Sequence, residues 1–153
     1  MAIRNSAKAL ILHEGRLLFN KCVSRMGVYY ALPGGGQHEG ELLTEAVKRE
    51  VMEETGLTVE PMRLSAVFER VSGHEGSVKA HKMYFVFLCR YLPEVPAREP
   101  VERDAYQVGM EWLTVDEACA ASLFPRVVRD NLPALLDYGE TIYLGSERRG
   151  GER

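Results

Sequence analysis

Three glutamates, Glu50, Glu53 and Glu54, stand at i, i+3 and i+4 in the run AVKREVMEETGL. At about 100° per residue, a helix would hold all three within an arc of roughly 100°. Like charges at that spacing repel unless something compensates them. Leu43, Val47 and Val51 form an apolar stripe at i, i+4 and i+8 of the same helix, the mark of a face turned to a core. Glu50 and Glu54 project beside that stripe, while Glu45, Lys48 and Met52 take the opposite, wet side. Acids bordering the core side are poorly placed as solubilising charge. Carboxylate oxygens gathered on one face are what a hard divalent cation such as Mg²⁺ requires. Glu53 and Glu54 are the first-choice ligands, with Glu50 as a bridging ligand or general base.

The elements around these acids must aim them. VYYAL, Val28 to Leu32, is β-prone and runs straight into Pro33-Gly34-Gly35-Gly36. Consecutive glycines permit a loop of unusual backbone angles that approaches a ligand closely. The helix is expected from near Glu41 to Thr55, with Gly56 as its left-handed stop. Arg49 lies four residues from both Glu45 and Glu53 and can bridge to either. Glu41 falls in the first turn, where negative charge suits the helix dipole.

Taken together, the spacing is more specific than the acid cluster. After Gly35 come five residues and Glu41, then seven residues and Arg49-Glu50. Val51, any residue, Glu53-Glu54, any residue, Gly56 and Leu57 complete the run. This stretch resembles the signature of the Nudix (MutT-like) hydrolases at every defined position. The resemblance implies a Nudix-like α/β/α sandwich with a mixed β-sheet between helices. The element order alone says only α+β, because strands and helices do not alternate regularly.

The resemblance also implies Mg²⁺-dependent hydrolysis, with Mn²⁺ as an acceptable substitute. The bond cleaved would be a pyrophosphate in a nucleoside diphosphate linked to another moiety: a nucleotide sugar, an ADP-ribose-like compound or a nucleoside triphosphate. It implies that the Gly34 carbonyl completes the metal sphere and that Arg49 orients a catalytic glutamate. In some relatives the general base lies outside this stretch. Glu69, Glu75, Glu102 and Asp104 are the acids available for that role, with Glu102 and Asp104 as extra-acid candidates. Gly35 and Gly36 would meet the substrate, and either Tyr29 or Tyr30 could stack on a base, since strand alternation turns only one of them to a given side. Tyr30 is the candidate carried forward. His74, Lys79 and His81 are further candidate phosphate contacts. Downstream residues that mark the ADP-ribose, dinucleoside-polyphosphate and NADH hydrolases are absent, which leaves the subfamily and substrate open.

With 153 residues, 46% hydrophobic and 27% charged, the chain is sized and composed for one folded domain over residues 1–153, with a tail fraying from about Glu147. A net charge of −3 argues against a dedicated polyanion-coating surface. No stretch approaches membrane-spanning length. Cys22, Cys89 and Cys119 share no ligand spacing and read as reduced, small core hydrophobes, which places the chain in the cytoplasm. The expected partner is a small nucleotide-diphosphate substrate, without membrane or nucleic acid; a homodimer is admitted.

Strands are expected at Ser6 to His13, Arg16 to Cys22, Leu64 to Val71 and His81 to Tyr91, with VSGHEGSVKA as a mobile loop or hairpin connection. A long surface loop should follow Arg90, and TVDE from Thr114 fits a capping box. A second helix should follow Pro125, and Thr141 to Leu144 should form a last strand. Two other readings compete. A catalytically silent regulatory module that binds a nucleotide would be expected to have lost some of these acids, and none is missing. RNA 5′-end hydrolysis would call for a basic groove with aromatic platforms, and no such stripe is evident in the sequence.

Overall fold

Alternation along SAKALILH sends Ser6, Lys8, Leu10 and Leu12 to one face of a strand and Ala7, Ala9 and Ile11 to the other. Both faces therefore need cover, which requires a sheet between two layers. A computed structural model shows that arrangement and describes residues 2–74, 76–101, 105–137 and 139–149. In chain order the elements are β1 (Arg4–His13), β2 (Arg16–Ser24), β3 (Gly27–Ala31), β4 (Gly34–Gly36), α1 (Leu43–Thr55), β5 (Val59–His74), β6 (Ser77–Tyr91) and β7 (Gln107–Thr114). They continue with α2 (Val115–Ala120), β8 (Leu123–Phe124), α3 (Arg126–Asp130), α4 (Leu132–Leu136) and β9 (Ile142–Arg149).

The strands form one mixed sheet in the order β8-β3-β2-β1-β6-β5-β9, with β4 on β1 and β7 on β2. β1 pairs parallel with β6, and β5 pairs parallel with β9. One face packs on α1, where Ala46, Val47 and Val51 meet Ala7, Ala9, Ile11 and Leu18. Ala118, Val128, Leu132 and Leu135 from α2, α3 and α4 cover the other face, against Leu10, Phe19, Phe68 and Val86. This is the expected α/β/α sandwich. Val47 and Val51 are fully buried; each contributes about 2 kcal/mol of transfer free energy.

One edge of β1 carries two neighbours. Ile11, Leu12 and His13 pair with β2, while Ser6, Ala7 and Lys8 pair with β4. From Asn20 that edge of β2 pairs with β3 instead, while β7 lines its other edge from Arg16 to Cys22. The sheet splays there, and Pro33 to Gly36 fills the split, with the Ala9 N–H donating to the Pro33 carbonyl at 2.9 Å.

Several boundaries differ from expectation. The glycine loop is a short strand. Of the two readings of VSGHEGSVKA the hairpin holds, its strands extended beyond Val71 and ahead of His81, because β5 and β6 continue pairing to His74↔Ser77 after a register shift at Ser72/Gly73. Gly73 permits it: a Cβ there would lie 2.3 Å from the Ser77 carbonyl oxygen. β9 pairs with β5 as far as Arg149, so the expected fraying from Glu147 does not begin there. α1 starts two residues after Glu41, and the Glu45 carboxylate accepts from the Leu42 N–H at 3.0 Å to cap it. The other end is as expected, with Gly56 left-handed and its N–H donating to the Met52 carbonyl. Thr114 and Glu117 cap α2 reciprocally, again as expected. Cys22 and Cys89 are core residues, but Cys119 is exposed, because it lies on the outer side of the short α2.

Candidate active site

α1 lies against β1 and β4, so its acids on that flank meet the glycine strand. Glu54 is the most enclosed of them. Its Oε2 accepts from the Asn20 Nδ2 at 2.9 Å and from the Gly34 N–H at 3.0 Å. Asn20 is held in turn by Gln107, whose Nε2 donates to Asn20 Oδ1 at 3.1 Å. The second Glu54 oxygen, Oε1, receives no hydrogen bond among the described residues. Burial pushes the Glu54 carboxyl above the ordinary carboxylate range, although Gly34, Lys8 and Asn20 all favour its anion.

Glu50 lies against Gly35. A Cβ at Gly35 would sit 2.5 Å from Glu50 Cδ, so a larger residue there would push that carboxylate from its present position. A Cβ at Gly34 would sit 2.1 Å from the Ala7 carbonyl oxygen. The expected close approach of the glycines is thus to β1 and to a site carboxylate.

Arg49 links the rest. Its Nε and Nη2 grip Glu41 at 2.7 and 3.0 Å, in the paired geometry that suits a guanidinium. Nη1 donates to Glu50 at 3.0 Å and to Glu53 at 3.2 Å, and Nη2 also reaches the Gly36 carbonyl at 2.8 Å. Of the two expected bridges, the one to Glu53 forms. The one to Glu45 does not, because Glu45 is occupied at the helix cap. Glu41 is an anchor for Arg49, and that hydrogen-bonded pairing lowers its carboxyl to about 2.

The donor set suits a hard divalent cation. Glu50, Glu53, Glu54 and the Gly34 carbonyl are all oxygen donors, and Glu50 and Glu54 each keep one oxygen without a hydrogen bond among the described residues. A positive group already sits on the implied backbone ligand, since Lys8 Nζ donates to the Gly34 carbonyl at 3.1 Å. Among the described residues, no three such side chains are drawn into a single ligating cluster. Arg49 holds Glu53 and one oxygen of Glu50.

Beside β4 opens a cavity of about 860 Å³, lined by Gly35, Gly36, Lys8, Lys82, Arg4 and Tyr84 among others. Gly35 and Gly36 thus border this cavity. Tyr30 does not: its hydroxyl donates to Glu111 at 2.8 Å, and its ring packs on the core of the α2–α4 face. Tyr29 meets Phe124 edge-on. Among the outside acids, Glu69 is engaged by His81 at 3.0 Å and by Tyr143. Glu75, Glu102 and Asp104 lie outside the described residues. His74 and Lys79 are exposed on the β5–β6 hairpin, away from this cavity's lining.

Sequence reasoning missed Lys8, Asn20, Gln107, Lys82 and Tyr84. Lys8 did carry a signal, being a charge with inward parity in an otherwise apolar strand. Among the described residues, no helix is long and apolar enough to cross a membrane.

The fold is shared with solved structures at low identity. A Nudix hydrolase from Nitrosomonas europaea matches with TM-score 0.71 at 17% identity, covering 97% of this chain and 81% of that one. An ADP-ribose pyrophosphatase from Streptococcus suis matches with TM-score 0.66 at 22% identity, covering 93% and 99%. A MutT protein from Bacillus halodurans matches with TM-score 0.68 at 24% identity, covering 92% and 90%. In sequence, 64 residues are 44% identical to an 8-oxo-dGDP phosphatase of Mus musculus. That stretch spans 42% of this chain and only 17% of the mouse protein. The family model of the Nudix domain matches residues 2–135. With the glycine strand, Arg49 and the carboxylate helix all inside that match, the chain belongs to the Nudix hydrolase family.

Proposed function

We propose that this chain is a Mg²⁺-dependent pyrophosphohydrolase, with Mn²⁺ as a substitute, acting on a nucleoside diphosphate linked to another moiety. The observation that carries the reading is Glu54. Two donors fix one of its oxygens and leave the other without a hydrogen bond, beside a second carboxylate and a backbone carbonyl. Partners of this kind orient a metal ligand and tune its basicity. Glu50, Glu53, Glu54 and the Gly34 carbonyl would hold the ion. Bound there, a divalent cation neutralises phosphate charge and lowers the pKa of a coordinated water.

The remaining steps belong to the chain. Arg49 holds Glu50 and Glu53 at fixed separation and ties both to Glu41 and the Gly36 carbonyl. Glu50 keeps one oxygen clear of Arg49, which would either bridge to the ion or accept a proton from an attacking water. Gly35 and Gly36 give the phosphate chain a wall without side chains. The products are two phosphorylated fragments.

The test is a metal-dependent hydrolysis screen over 8-oxo-dGDP, ADP-ribose, UDP-sugars and nucleoside triphosphates, with the phosphorylated products separated by anion-exchange chromatography. Substrates named for relatives define this panel. Glu54→Gln keeps the hydrogen-bonding outline of the side chain and removes its charge. Turnover should fall at least a hundredfold with the melting temperature preserved. A folded Glu54→Gln protein that hydrolyses its substrate undiminished refutes the reading. The silent-module alternative would show ligand-dependent thermal stabilisation with no turnover by the unmutated chain.

A further inference from the structure

The acids of α1 have a counterpart on the other side of β4. Arg4, Lys82 and Arg70 occupy one cross-strand row, since Arg4 pairs with Lys82 across β1–β6 and Lys82 pairs with Arg70 across β5–β6. Residues in register on neighbouring strands project to the same face, and like charges directly opposite one another are destabilising. Lys8, four residues along β1 from Arg4, projects to that face too. Its ammonium feels Glu54 and Glu50 on the side of α1 and, more weakly, Lys82 and Arg70 on the side of this row.

Arg4, Lys8 and Lys82 all line the cavity beside Gly35 and Gly36. Among the described residues, none of the three has a carboxylate within ion-pair distance, and Glu39 is the one acid in the lining. The floor is Tyr84, stacked on Phe68 at 4.6 Å and overlaid by the Arg70 guanidinium at 5.8 Å. A cavity of this size with converging cations, a rigid aromatic floor and a glycine wall is built for a compact polyanion.

We infer that Lys8, Lys82 and Arg4 form a seat for the terminal phosphates of the substrate. The inference rests on the pyrophosphohydrolase reading and narrows it. Three cations beyond any metal favour a substrate ending in free phosphate, a nucleoside di- or triphosphate, over one capped by a neutral sugar. Lys8 is the inner member, bonded to the Gly34 carbonyl and so at the boundary between the seat and the carboxylates. Lys82 and Arg4 are the outer, solvent-facing members.

The test separates this seat from the carboxylates by omitting metal. Inorganic tripolyphosphate is titrated into the full chain in the presence of chelator and followed by calorimetry. Binding should be measurable, should weaken with salt through screening, and should fall about tenfold or more in Lys82→Ala and again in Arg4→Ala. Both positions are exposed, so these variants should fold. Lys8→Met, checked by thermal melting, should lose as much. Glu54→Gln should bind tripolyphosphate at least as well as the unmutated chain, although its turnover is lost.

In steady-state assays the lysine variants should raise KM for a nucleoside triphosphate more than for a nucleotide sugar. Failure of the unmutated chain to bind tripolyphosphate, or undiminished binding by folded Lys82→Ala and Arg4→Ala, overturns the seat. Neither result touches the hydrolase reading, which stands or falls on Glu54→Gln turnover.

Discussion

Arg49 shows how one side chain can be both structural and functional. It spends two nitrogens on Glu41 and Gly36, which lie ahead of the helix, and one on Glu50 and Glu53 within it. Glu41 thus stabilises the fold only while ionised. Its folded-state value is held near 2 by the Arg49 hydrogen bonds, below the ordinary carboxylate value. For a lowered pKa the unfolded chain binds more protons, so the contribution is complete above the ordinary value and fades as pH falls through it towards about 2. Glu41→Gln should therefore reduce stability at neutral pH and flatten the stability–pH curve between about 4.5 and 2. Urea unfolding at a series of pH values measures this, and an unchanged acid slope would remove Glu41 from that role.

At the scale of elements, α1 was legible because its apolar and acidic positions repeat with the helical period. Val51 is fully buried where the sequence placed it, on the side that meets Ala7, Ala9 and Ile11. Val51→Ala should cost about 1–3 kcal/mol through lost transfer energy and a residual cavity. Denaturant titration should show a lower midpoint with an unchanged slope. A stability loss below 0.5 kcal/mol, roughly the floor for such changes, would mean that the layer relaxes around the gap.

The glycine run was less legible. Nothing local says that Gly34 to Gly36 will pair with β1, since that ladder joins residues far apart in the chain. The same holds for the donors to Glu54. Asn20 and Gln107 are unremarkable polar residues in sequence, and only the β2–β7 pairing brings them together behind α1. Tyr30 shows the same limit: alternation said that one of the two tyrosines faces each side, and Glu111 on a third strand decided where its hydroxyl went. The residues of the Glu41 to Leu57 run could be found from spacing along one helix. Their supporting residues are set by sheet topology, which local pattern does not encode.

On the scale of the whole molecule, the split between β1 and β2 carries a consequence for which conformation the hairpin adopts. The register Ile11↔Leu18, Leu12↔Leu17, His13↔Arg16 would, if simply zipped onward, bring Lys8 directly opposite Lys21 on the same face. Two ammonium groups would then be forced together at the centre of the sheet. The backbone groups of β1 that now hold β4 would be taken by β2, and the glycine strand would be evicted. Like-charge repulsion is then one term that opposes closure, softened where Lys21 keeps its ion pair with Glu111 at 3.5 Å. Neutralising both lysines, as in a Lys8→Leu/Lys21→Leu double variant, should let the ladder lengthen. Amide exchange at Gly35 and Gly36 should then speed up while protection rises along β2, and unchanged exchange at both would show that the lysines do not set how far the hairpin zips.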